Sequence, residues 1–206
     1  MTESCSQCLR PEDICVCDRI EAISTKHNVL VLQHPREQDI ELGSAKLLAM
    51  MLPKCVLKVG LSWPSLSKAW GKNTEASHWA VVFPRPNVQF SPDTNYELSN
   101  RSGKTVSPSK IRGIILLDGT WSQAKSLWWR NPWLLKSPRL TLSPKEPSIY
   151  GAVRTEPRKQ YISTIEAAGA ALYALGEPEI IDKKLKRVFR TLLQRYRDQH
   201  SSDHFK

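Results

Sequence analysis

Long apolar runs are missing from this 206-residue chain. The longest strongly apolar stretch, Leu47 to Leu52, falls far short of a membrane-spanning helix. The N-terminus is polar and cysteine-bearing, without an apolar signal-peptide core, so the expectation is a soluble, cytoplasmic protein. No G-x-G-x-x-G occurs, which removes the dinucleotide fingerprint. Gly103-Lys104-Thr105 looks like the end of a phosphate-binding P-loop, but Leu98 stands where the first glycine is required and no apolar strand feeds it. Acidic residues are also short, at 20 against 30 basic ones, leaving a formal charge of +10. That excess favours a polyanionic partner such as nucleic acid and says nothing about the fold.

Cysteine is scarce except at one end. Four of the five lie in the first 17 residues, as Cys5-x2-Cys8-x6-Cys15-x-Cys17. Thiols packed this closely in a reducing compartment are better explained by tetrahedral zinc than by disulfides. Four cysteine ligands would close the site and leave no open position for catalysis, although a zinc knuckle also presents backbone N–H groups to RNA. The fifth, Cys55, opens an expected strand and reads as a buried thiol.

The chain is organised around residues 112 to 133. Ile114 to Leu117 read as a strand covered on both faces, ending on the carboxylate of Asp118. Gly119 leaves the strand, Thr120 and Gln123 form a capping box, and helical spacing runs to Asn131-Pro132. In an open α/β sheet ligands bind at the carboxyl ends of strands, which puts Asp118 at such a site. Trp121, one turn inside the helix, could wall the same pocket, whereas Trp128, Trp129 and Trp133 read as packing.

Taken in order, His27 to His34 predict the first buried strand, followed by Pro35-Arg36-Glu37 and a helix from Asp39 to Leu52 with Ile40 on its apolar face. His34 at the strand end reads either as a hydrogen-bonded structural residue or as part of the site. Cys55 to Val59 and Trp79 to Phe83 predict two more strands, and Pro84 to Lys110 a long surface excursion of the kind that is often functional. Arg139 to Leu142 predict a further strand, and Ser163 with Glu166 a second capping box for a helix reaching Leu175. After Glu177-Pro178 comes a last helix whose Leu185, Val188, Phe189, Leu192, Leu193 and Tyr196 define a core face. Its seven cations, with Asp182 and Asp198 nearby, suggest an unbalanced face open to phosphate.

D-G-T-W followed by S-Q-A-K resembles the signature of the DTW-domain proteins, tRNA-uridine aminocarboxypropyltransferases related to the SPOUT RNA-modifying enzymes. H-P-R-E at 34–37, S-T-I-E-A at 163–167 and the cysteine cluster resemble the family's other motifs in the right order. The resemblance implies transfer of the 3-amino-3-carboxypropyl group of S-adenosylmethionine to N3 of a tRNA uridine. It also implies an α/β fold with a SPOUT-like, mostly parallel sheet flanked by helices and a C-terminal knot, arranged as a zinc knuckle at 1–20 and a catalytic domain at 21–206. On this reading Asp118 is either the base for uracil N3 or a positioning group, and Trp121 buries the sulfonium methyl. Leu116, Leu117, Ser163 and Thr164 hold S-adenosylmethionine, with Gly119, Thr120 and His34 beside them. Arg154, Arg158, Lys183, Lys184, Arg187 and Arg190 grip tRNA phosphates. Two other readings stay open: a SPOUT-type methyltransferase using the same donor in another orientation, and a non-catalytic zinc-containing RNA-binding protein. Nothing in the sequence marks an oligomer interface.

Overall fold

Two apolar strands, β1 (Asn28–Gln33) and β5 (Gly113–Asp118), pair in parallel at the centre of the molecule, from Asn28 opposite Gly113 to Gln33 opposite Asp118. In this computed structural model the described residues are all but 1–2, 87, 89, 92–93, 152–161 and 203–206, with 201–202 described by backbone alone. β2 (Cys55–Val59), β3 (Trp79–Val82), β4 (Tyr96–Ser99) and β6 (Arg139–Leu142) complete a six-stranded sheet in the order β2-β1-β5-β3-β6-β4. All neighbours are parallel except β4, which runs antiparallel to β6 at the edge.

The central strands have no polar face because both faces are covered. Val29, Val31, Ile114 and Leu116 enter one core with the helices α1 (Ser44–Met51), α4 (Thr164–Ala174) and α5 (Glu179–Ser202). Leu30, Leu32 and Ile115 enter the other, against α2 (Leu66–Trp70) and α3 (Trp121–Arg130). The period-2 alternation of a strand therefore sorts side chains into two cores, which is why the runs are continuously apolar. From β1 the chain moves outward to β2, whereas from β5 it moves the other way to β6, so the connections diverge between β1 and β5. That divergence opens a crevice at the carboxyl ends of these two strands.

Two expected elements differ. The helix expected from Asp39 begins only at Ser44, because 39–43 form turns with Gly43 at the N-cap, and Ile40 is 45% exposed instead of core-facing. The excursion from Pro84 to Lys110 contains β4, a four-residue edge strand too short to stand out among its Ser, Asn and Pro neighbours. The knot implied by resemblance depends on the path of 152–161, outside the described residues.

The N-terminal segment is built into the main core. Ile14 and Val16 are fully buried in it, Arg10 donates to the carbonyls of Glu41 and Gly43 at 2.7 Å each, and Arg195 of α5 grips both oxygens of Asp18 at 2.9 Å. α4 packs along α5, and Gly169 permits the approach: a Cβ there would lie 2.2 Å from Asp182 Oδ1 and 3.1 Å from its Cα.

Glu177, buried just before α5, ties that helix to the start of β1. Its Oε1 accepts Lys26 N at 2.6 Å, His27 N at 2.9 Å and His27 Nδ1 at 2.8 Å. Burial alone raises its pKa, but the bonds from His27 and Lys26 together outweigh this and hold the carboxyl below its usual range. A depressed pKa contributes stability above the unfolded value and loses it as pH falls through the folded one. Glu177→Ala is expected to cost about 2–4 kcal/mol at neutral pH by stranding buried donors. The gap between the two proteins in denaturant titrations is expected to narrow as pH falls below the usual glutamate value of about 4.3 and through the lower folded one.

Candidate active site

At the crevice, Asp118 ends β5 with its side chain buried, 7% exposed. Register puts Gln33 directly opposite, and Gln33 Nε2 donates to Asp118 Oδ2 at 2.9 Å. Thr164, the first residue of α4, donates its hydroxyl to Asp118 Oδ1. One oxygen is thus held from a neighbouring strand and the other from a helix start, which fixes the plane of the carboxylate. The next residue, His34, donates its backbone N–H to the Asp118 carbonyl at 2.9 Å.

The turn after Asp118 requires glycine. Gly119 lies at φ 155°, and a Cβ there would sit 2.9 Å from Gln123 Cβ, inside the capping box that Thr120 and Gln123 form at the head of α3. The second capping box, Ser163 with Glu166, does more than start α4. Glu166 is 4% exposed and also accepts from Ser148 Oγ at 2.9 Å and Ile149 N at 3.0 Å. It thereby anchors the loop that brings Tyr150 into the site, where the Tyr150 hydroxyl donates to the Leu42 carbonyl at 3.1 Å. Ser44 at the head of α1 accepts from Ile165 N at 3.3 Å, joining two helix starts.

These ends enclose a pocket of about 150 Å³. Asp118, Glu37 and Thr164 are among its polar groups, with Ser163 and Tyr150, and Phe83 and Trp121 stack with ring centres 5.4 Å apart along its aromatic wall. Of the residues singled out in the sequence, Leu116, Leu117, Gly119, Trp121, Ser163 and Thr164 line it. Thr120 and His34 do not. The Thr120 hydroxyl is committed to the cap, and His34 Nδ1 accepts from Arg36 N at 3.2 Å, so its ring caps the turn of residues 35–37. Sequence reasoning passed over Gln33, Glu37, Phe83 and Tyr150. Gln33 carried a signal, being a polar residue that follows four apolar ones at the carboxyl end of a strand read as buried.

The sequence of the whole chain decides the family. The family model for the DTW domain matches residues 2–197. This chain belongs to the DTW-domain family. The D-G-T-W of this DTW domain is thus the turn that carries the buried carboxylate, and its S-T-I-E is the helix start that holds it. The chain is similar to tRNA-uridine aminocarboxypropyltransferase 2 of Macaca fascicularis, 31% identical over 199 residues, covering 91% of this chain and 61% of the relative. It is 28% identical over 192 residues to the Mus musculus protein of the same name, with the same two coverages, and 26% identical over 206 residues to that of Drosophila melanogaster, covering 97% and 77%. The chain therefore spans about three fifths of the length of the two mammalian relatives. No solved structure gives a significant match.

The four N-terminal cysteines of this DTW domain do converge. Their sulfurs all lie within 4.8 Å of one another, with Cys5–Cys17 and Cys8–Cys15 each at 3.7 Å. A tetrahedron of thiolates about 2.3 Å from a zinc ion has edges of about 3.8 Å, so the spacing suits a metal centre, whereas a disulfide needs about 2.05 Å. Backbone N–H groups of Cys8 and Gln7 pull the Cys5 thiol down to about 6, while burial pushes Cys15 and Cys17 up. Cys55 stands apart, and burial alone raises its thiol to about 12, which leaves it a poor nucleophile.

The last helix is less unbalanced than its sequence suggested. Lys183 pairs with Glu179 at 2.7 Å, Lys184 with Glu21 at 3.2 Å and Lys186 with Asp182 at 2.7 Å. Glu21 lies far away in sequence, as does the Asp18 that engages Arg195, so a reading along the helix could not count them. Arg187 and Arg190 remain exposed with no acidic partner among the described residues. Arg154 and Arg158 lie outside the described residues.

Proposed function

We propose that this DTW domain transfers the 3-amino-3-carboxypropyl group of S-adenosylmethionine to N3 of a tRNA uridine and releases 5′-methylthioadenosine. The observation that carries it is Asp118, a buried carboxylate gripped by Gln33 and Thr164 where it borders a pocket with an aromatic wall. The names of the curated relatives support aminocarboxypropyl transfer to a tRNA uridine. The donor is held by the backbone around Leu116 and Leu117 and by Ser163 and Thr164, and Trp121 covers the sulfonium methyl so that another carbon faces the acceptor. Glu37 brings a second carboxylate to the pocket, suited to the ammonium of the transferred arm. The N3–H bond of uracil breaks and its proton passes to Asp118. The N3 lone pair then attacks the γ-carbon, and the carbon–sulfur bond breaks with its electrons staying on sulfur. Opposite charges vanish in that step, so a dry pocket favours it.

A structural zinc at Cys5, Cys8, Cys15 and Cys17 completes the reading, with a knuckle at 1–20 and a catalytic domain at 21–206 in a cytoplasmic protein. Arg10 and Arg195 dock the knuckle on the rest of the chain. Elemental analysis is expected to find about one zinc per chain, and Cys8→Ser to lose it together with a drop in melting temperature.

Mass spectrometry of nucleosides from unmodified tRNA incubated with the protein and S-adenosylmethionine tests the reaction. A gain of one aminocarboxypropyl group on uridine is expected, with the rate lowered about 10²- to 10⁴-fold in Asp118→Ala. A methyl-sized gain would assign the site to a methyltransferase instead. Binding of tRNA without any modification would leave only a binding module.

A further inference from the structure

A basic groove lies across the aromatic wall from the pocket. Phe83 lines the pocket and stacks on Trp128 at 4.7 Å, and the Arg139 guanidinium sits 4.5 Å from the centre of the Trp128 ring. Trp128, Arg85, Arg101 and Arg139 line a second cavity of about 180 Å³. A more open one of about 900 Å³, bordered by Lys104, Lys110 and Lys136, adjoins it through the shared Asn100, Arg101, Leu135 and Ser137. Six cations thus face two joined cavities, and among the described residues no carboxylate lines either. Their one acidic contact among the described residues is Glu97, 3.8 Å from Arg85.

The groove is built to receive something polar. Ser137 is only 7% exposed and lines both cavities, yet its hydroxyl has no hydrogen-bond partner among the described residues. Arg85 is braced by Ser99 Oγ at 3.1 Å, and stacking on Trp128 orients the Arg139 fork. Burial, and then the neighbouring charge of Arg85, hold Arg139 below its usual value against the opposing pull of Glu97, as expected where positive charge outweighs negative. Planar guanidiniums fixed by packing suit phosphate oxygens, and the surrounding lysines supply point charges.

We propose that this groove binds the phosphodiester backbone of tRNA beside the target uridine, with the base leaving its stack and crossing the Phe83 wall into the pocket. The identity of the RNA rests on the aminocarboxypropyl reading of the pocket; the anion chemistry rests on the groove. A protein that acts on a base edge must hold the backbone nearby while that base is extruded, and adjoining cavities divided by one aromatic wall meet that need.

The test is the triple variant Arg101→Gln, Lys104→Gln, Lys136→Gln, whose side chains are exposed and make no hydrogen bond or ion pair among the described residues. Its tRNA affinity, followed by fluorescence anisotropy at several salt concentrations, is expected to fall at least tenfold near 0.1 M salt. The salt dependence is expected to flatten by about 2 to 3 in log–log slope, one phosphate contact per lost cation. S-adenosylmethionine binding by calorimetry stays at the wild-type value. Unchanged affinity and slope in the triple variant, with loss in Arg187→Gln, Arg190→Gln, overturn the proposal and move the RNA to the last helix. Wild-type protein that modifies tRNA beside an unaffected triple variant refutes the groove and leaves the reaction standing. Wild-type protein that binds tRNA through the groove yet modifies nothing refutes the reaction and leaves the groove standing.

Discussion

The buried carboxylate of Asp118 is the constraint on which the rest of the architecture turns. A carboxylate 7% exposed at a strand end is costly unless its oxygens are hydrogen-bonded. The two donors come from different elements, Gln33 of β1 and Thr164 of α4. A one-residue slip of β1 against β5 would remove Gln33 and exchange the two core faces of the strand at once. α4 must likewise begin where Thr164 reaches the carboxylate, and the links from its first turn to Ser44, Ser148 and Ile149 fix that beginning.

The same constraint explains why the functional side chains lie apart in sequence yet together in space. Parallel strands place all their carboxyl ends on one edge, and the reversal of connections between β1 and β5 opens that edge. Phe83 leaves β3 at this edge and stacks on both Trp121 and Trp128, so the wall of the pocket is also the wall of the neighbouring groove. Charge follows a similar division. The cations of α5 are largely neutralised by Glu179, Glu21, Asp182 and Asp18, whereas those gathered from 85 to 139 face cavities that no carboxylate borders among the described residues.

Much of this was legible in the sequence where the signal is local. The strand from Ile114, the stop at Asp118 and both capping boxes follow from residues within three or four positions of one another, and all three are present. The cysteine cluster was legible for the same reason. What depended on tertiary pairing was not. Gln33 gains its role from lying opposite Asp118, and Glu21 and Asp18 neutralise a helix more than 160 residues away. The basic groove draws on three separate stretches of chain, none remarkable by itself in charge. Edge strand β4 was hidden because an edge strand needs only one partner, and of its four residues only Leu98 and Ser99 are buried.

If the carboxylate clamp is the working unit of the site, Asp118 and Thr164 act as one group. A double-mutant cycle on the transfer rate, comparing Asp118→Asn, Thr164→Val and the double variant by nucleoside mass spectrometry, measures this directly. Thr164→Val is expected to slow transfer in the wild-type background but to add little once Asp118 is replaced, because the clamp has nothing left to orient. Fully additive losses would contradict it and make Thr164 an independent contributor to the site.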